Sequence, residues 1–142
     1  VAGAVALPAR GLVYASDPAP SVPAANGGKI RLAVSRSRPP AWLPSLVEAL
    51  DAELVPMGSA GVKAMSVLDG STDAYVHAGG QYEWDSAAPV IVARSAGLFT
   101  SRVDGSALVY NQRNVLLPDL IVCRPELAEQ VLAAVAPLDL MV

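Results

Sequence analysis

Histidine appears once in this chain, at position 77, cysteine once, at 123, and lysine only at 29 and 63. Each scarcity closes a class of function. A single histidine excludes multi-histidine metal centres and confines any serine–histidine–aspartate arrangement to His77. A single cysteine cannot form an internal disulfide, and no metal-ligand spacing surrounds Cys123, which fits a reducing compartment. With two lysines and a net charge of −3, there is no basic stripe for a nucleic-acid partner. No apolar run reaches bilayer-spanning length, and no basic start leads into an apolar core, so neither a membrane partner nor a signal peptide is expected. A cytoplasmic globular domain is the reading that remains.

What the chain has in plenty is alanine and valine. Hydrophobic residues make up 53% of 142, enough for one domain with a real core. Val1 to Leu7 is apolar from its first residue. Pro8-Ala9-Arg10-Gly11 turns the chain, and Leu12 to Ala15 completes a hairpin. A terminus that starts inside a strand reads as a chain cut within a larger protein. Residues 16–28, with three prolines and Asn26-Gly27-Gly28, read as a flexible loop within the domain. Ile30 to Val34 alternates as a strand. Pro40 opens a helix to Asp51, with Leu43, Leu46, Val47 and Leu50 on one face. Glu53 to Met57 is a strand, and Gly58-Ser59-Ala60-Gly61 launches a helix to Leu68. Ser71 to Val76 is the next strand, followed by an irregular His77-Ala78-Gly79-Gly80 loop. Leu98 to Arg102 and Ala107 to Tyr110 read as a hairpin around Asp104-Gly105. Leu117 to Cys123 is a last strand and Pro125 to Ala136 a closing helix. The alternation predicts an α/β fold, a mixed sheet covered by helices on both faces.

The chemistry gathers around Gln81-Tyr82-Glu83-Trp84-Asp85-Ser86. These residues open a buried helix with Asp85 in its first turn, where a carboxylate meets the positive end of the helix dipole. Such a place suits a divalent cation bridging to a phosphate. It equally suits an ordinary N-terminal cap, with Trp84 as core. Two other stretches end at strand termini. Gly58 permits close backbone approach, and Ser59 can cap its helix or bind a hydroxyl or phosphate oxygen. Asp73-Ala74-Tyr75-Val76 leads to His77, a position more often structural than functional. Open α/β sheets bind ligands at the carboxyl ends of their strands, and all three stretches lie there.

Taken together, Gly58-Ser59-Ala60-Gly61, Lys63, Val67, Gly70, Asp73-Ala74-Tyr75 and Glu83-Trp84-Asp85-x-Ala87-Ala88 to Ala96-Gly97 resemble the C-terminal signature of the inositol monophosphatase superfamily. The Glu-Trp-Asp-x-Ala-Ala form, with Asp104-Gly105-x-x-Leu108 after it, is similar to the CysQ-type branch. Members of that branch remove the 3′-phosphate of 3′-phosphoadenosine 5′-phosphate, and some hydrolyse inositol phosphates. The resemblance implies a magnesium-dependent phosphomonoesterase inhibited by Li⁺ and acting on a small phosphorylated substrate. In it Asp85 is a metal ligand, Gly58, Ser59 and Ala60 contact a substrate hydroxyl or ribose, and Ser35 and Arg36 contact groups beyond the phosphate. His77 stands where relatives separate inositol from nucleotide substrates.

The sequence also departs from the pattern. The family's other acidic metal motifs are absent. Asp69-Gly70-Ser71-Thr72 looks like a remnant of one, but its place after the Lys63 helix makes it a C-terminal turn. Residues 1–142 are therefore read as a C-terminal domain whose metal-binding N-terminal half is missing, inactive by itself and able to associate as a homodimer through its first strand. A non-catalytic module holding a sugar phosphate or nucleotide, or an inert folded fragment, is the alternative.

Overall fold

The computed structural model describes residues 1–140. It opens with a small hairpin, β1 (Ala4–Leu7) paired antiparallel to β2 (Leu12–Ala15) across a 3₁₀ turn at Pro8–Arg10. Residues 16–30 then form neither helix nor strand. This loop is anchored: Val22 packs on the core, and the Pro23 carbonyl accepts a 2.8 Å bond from Arg124. Next come β3 (Arg31–Ser35), α1 (Leu43–Leu50), β4 (Glu53–Met57), α2 (Ala60–Leu68), β5 (Ala74–Ala78) and α3 (Glu83–Ser95). β6 (Phe99–Ser101), β7 (Asp119–Cys123), a 3₁₀ turn at Pro125–Leu127 and α4 (Ala128–Val135) complete the order.

Five strands form one sheet in the order β4-β3-β5-β7-β6, with β4, β3 and β5 parallel and β7 antiparallel to both its neighbours. From β3 the chain crosses to β4 on one side and from β4 to β5 on the other. Right-handed crossovers in opposite directions place α1 and α2 on opposite faces. Strand alternation fills both layers. Ala33, Tyr75, Leu120 and Val122 pack with α2, α3 and Leu7 of the hairpin. Leu32, Val34, Ala74, Val76, Ile121 and Cys123 pack with α1 and α4. The expected mixed sheet with helices on both faces is the fold observed, and the predicted face of α1 is the buried one.

Three expectations are corrected. The strand expected to end at Val76 runs to Ala78, because His77 pairs with Leu120 and Ala78 with Asp119. His77 thus belongs to β5 rather than to the following loop. The 98–110 hairpin is only half present. Arg102 N–H donates to the Ser106 carbonyl, closing the turn, but β6 pairs with β7, and residues 107–110 make no strand. Leu108 is buried instead in the α3 layer, and the Tyr110 hydroxyl lies 3.0 Å from Ser86 Oγ of α3. Finally, Trp84 is not core. It is 66% exposed and stacks on Tyr82 with ring centroids 4.7 Å apart.

Candidate functional site

The three parallel strands carry their carboxyl ends to one edge, where the chain must leave each strand and enter a helix or loop. A cleft of about 430 Å³ opens there. Ser35 reaches it from the end of β3, Gly58 and Ser59 from the β4–α2 junction, His77 from β5, and Asp85 from the first turn of α3. Ala60 also lines it. Arg36 does not; it is exposed, and Ser37 and Arg38 occupy the wall instead. The three stretches singled out in the sequence therefore share one cavity.

Local geometry fixes each group. Ser59 is the N-cap of α2, and its Oγ accepts from Val62 N–H at 3.4 Å. Its φ of 69° lies in a region that L-residues rarely enter, and such strain concentrates at functional positions. Asp85 is the third residue of α3, and its Oδ2 accepts the Tyr82 backbone N–H at 2.9 Å in a capping box. That bond uses one carboxylate oxygen of Asp85 and orients the group at the cleft wall. The capping role expected of Asp85 is present, and it leaves the second oxygen for another partner.

His77 has both ring nitrogens engaged within the protein. Nε2 lies 3.2 Å from the Gly79 carbonyl, which can only accept, so Nε2 carries the proton. Nδ1 of the neutral ring then accepts from the Tyr75 hydroxyl at 3.1 Å. Burial lowers the pKa of His77 below the usual imidazole value and outweighs the bond to Gly79. Burial also pushes the Tyr75 phenol well up.

Sequence reasoning missed three cleft residues. Lys63 appeared there only as one position of a motif; it is 7% exposed, with its ammonium 5.5 Å from the Tyr75 ring centroid. No ion pair to it is seen among the described residues. Burial lowers its pKa. Arg38 adds a second cation at the wall, its backbone N–H held by Ser35 Oγ at 3.2 Å. Gln81 is 3% exposed and also lines the cleft. A lysine placed mid-helix among small apolar residues was the available signal for Lys63; Gln81 headed the stretch singled out in the sequence but received no role of its own there.

The cleft thus combines one carboxylate with two cations. Two poles of that kind suit an anionic ester: cations face the phosphate, while the carboxylate takes a metal ion or a hydroxyl. Among the described residues no group of three or more His, Cys, Asp or Glu side chains is placed to hold a metal. Asp85 alone would leave Mg²⁺ mostly water-ligated, so these residues do not complete a magnesium site.

Comparison with known proteins gives a consistent picture. The inositol monophosphatase family model matches residues 12–139. A 3′-phosphoadenosine 5′-phosphate phosphatase of Mycobacterium bovis is 54% identical over 136 residues, covering 94% of this chain and 51% of that protein. The corresponding protein of Mycobacterium leprae is 51% identical, covering 93% and 50%. The chain spans about half the length of the curated relatives it matches. Among solved structures, CysQ from Bacteroides thetaiotaomicron is 28% identical with a TM-score of 0.64, over 72% of this chain and 40% of that one. A Thermotoga maritima IMPase shares the fold at 17% identity, with a TM-score of 0.75 over 96% of this chain and 56% of its own.

Proposed function

The chain belongs to the inositol monophosphatase family, and from that premise we propose that its cleft is the substrate half of a phosphomonoesterase site acting on 3′-phosphoadenosine 5′-phosphate, on inositol phosphates, or on both. The observation that carries this reading is the convergence of Asp85, Ser59, Lys63 and Arg38 on one cavity at the carboxyl ends of β3, β4 and β5. Lys63 and Arg38 neutralise phosphate oxygens, and the strained Gly58-Ser59-Ala60 turn brings backbone and hydroxyl groups to the sugar. Two separate cations favour the bisphosphate. Ser35 contacts the ligand from the cavity wall, and Arg36 remains a candidate for a contact outside the cavity proper.

Asp85 contributes one ligand to Mg²⁺, and the remaining ligands come from chain beyond these 142 residues, the metal-binding half that such enzymes require. Bound there, the metal would supply charge neutralisation and an activated water, and Li⁺ would compete for it. By itself the chain binds its substrate without turnover, which is also the form the binding-module alternative takes. Self-association through the free edge of β1 belongs to the same proposal.

Phosphate release from 3′-phosphoadenosine 5′-phosphate tests it. With millimolar Mg²⁺ the 142-residue chain is expected to match a heat-killed control. A protein of the relatives' full length is expected to be active and to lose turnover by orders of magnitude on Asp85→Asn, with melting unchanged because Asn keeps an acceptor for Tyr82 N–H. Turnover by the 142 residues alone, or full activity of Asp85→Asn, would overturn the reading.

A further inference from the structure

Gln81 is bound into the fold through its backbone, its carbonyl accepting the Leu117 N–H at 2.9 Å. Its side chain is less complete. Oε1 is buried, and no protein donor reaches it; among the described residues it is the only buried side-chain oxygen or nitrogen in that state. Native proteins leave few such atoms, and one on a ligand cleft calls for a partner.

The nearby polar groups of β5 are already engaged. Gly79 fixes the proton on His77 Nε2, so the Tyr75 hydroxyl spends its hydrogen on Nδ1. The Tyr75 hydroxyl therefore has no hydrogen to give, and Gln81 Oε1 is left as an acceptor without a donor.

We propose that Gln81 is a specificity-determining residue whose Oε1 accepts a hydrogen bond from a sugar hydroxyl beside the phosphate. The proposal rests on the cleft being the phosphomonoester site. A ribose 2′-hydroxyl and a cyclitol hydroxyl offer the same chemistry, so both are tested. A substrate lacking that hydroxyl leaves the acceptor bare, and buried acceptors of this kind discriminate strongly.

Calorimetric titration in EDTA separates binding from turnover. One pair of probes is 3′-phosphoadenosine 5′-phosphate and its 2′-deoxy analogue; the other is inositol 1-phosphate and cyclohexyl phosphate. The protein is expected to prefer the hydroxyl-bearing member of at least one pair by about tenfold. Gln81→Met, close in shape but without an acceptor, is expected to bring that ratio near one while holding the deoxy probe as before, which also shows that it folds. Gln81→Glu keeps an acceptor and is expected to retain the preference. A preference unchanged in Gln81→Met, or absent from the unaltered protein, overturns the assignment and makes Oε1 a water site. Failure to bind any of the four probes would overturn the cleft reading with it.

Discussion

Tyr75 and His77, two residues apart on β5, are joined by a 3.1 Å hydrogen bond from hydroxyl to Nδ1. The period of two in a strand puts both side chains on one face. There they form the wall of the cleft with Lys63 behind the Tyr75 ring. Because the bond fills one ring nitrogen and Gly79 the other, His77 meets a ligand only by exchanging a bond it already has.

That arrangement fixes the sign of a pH effect. Burial, assisted by the charge of Lys63, lowers the pKa of His77, against the bond to Gly79 and the charges of Asp85 and Asp119. A histidine whose folded pKa lies below its unfolded value, about 6.5, binds protons more readily when unfolded. Its contribution to stability is complete above that pH and is lost as pH falls through the lowered value. Asp73 and Asp119 act in a separate, more acidic window, since burial raises their carboxyls but their arginine partners bring them below the ordinary value. Melting followed from pH 7.5 to 5 is expected to fall more steeply in the unaltered protein than in His77→Gln. Parallel curves would show that His77 is not the group titrating.

At the opposite end of β5, Asp73 collects two arginines. Arg31 donates to both carboxylate oxygens at 3.1 Å, and Arg124 Nε donates to Oδ1 at 3.0 Å. Asp73 is 4% and Arg124 5% exposed, so their charges are compensated within the protein rather than by solvent, with Glu126 Oε1 a further 3.9 Å from Arg124 Nη1. The cluster ties β3, β5, the end of β7 and the 16–30 loop together. Breaking a buried pair leaves an uncompensated charge, at a cost of roughly 3 kcal/mol. Arg124→Leu is expected to lower the urea midpoint accordingly, with nucleotide binding unchanged because the cleft lies at the other strand ends. A loss below about 1 kcal/mol would mean that Arg31 alone satisfies the carboxylate.

Most of the architecture was legible because its signals were local. Glu53–Met57 is a strand as expected, and Ser59 caps α2 where the Gly58-Ser59 turn placed it. Ala107 to Tyr110 misled for a related reason. Leu108 and Tyr110 alternate as in a strand, but their burial is against α3, a relation no local pattern encodes. The site was half legible. Asp85 and Ser59 announce themselves by helix-start chemistry. Lys63 stands out only by its place mid-helix among small apolar residues, and Gln81 looks like a surface residue until the fold closes over it. Their significance lies in missing partners, which only three dimensions reveal.

Ser59 offers a test of strain against function. Its φ of 69° with ψ of 130° is costly for a residue with a side chain, about 1–3 kcal/mol. Nothing crowds its neighbour, since a Cβ built on Gly58 would meet no atom within 4 Å. The strain therefore belongs to Ser59 itself, offset in part by a long 3.4 Å cap to Val62 N–H. Glycine accepts such angles without penalty and replaces a serine cap at a loss of a few tenths of a kcal/mol. It also loses more chain entropy on folding, roughly 0.4–1 kcal/mol. Ser59→Gly is then expected to leave stability equal or higher by about 1 kcal/mol, while phosphate-ester binding weakens because a hydroxyl has left the cleft. Both are read on one sample, by melting and by titration with 3′-phosphoadenosine 5′-phosphate. A lower melting temperature with binding intact would make the serine a structural cap; higher stability with weaker binding would show that the strained turn is kept for its ligand.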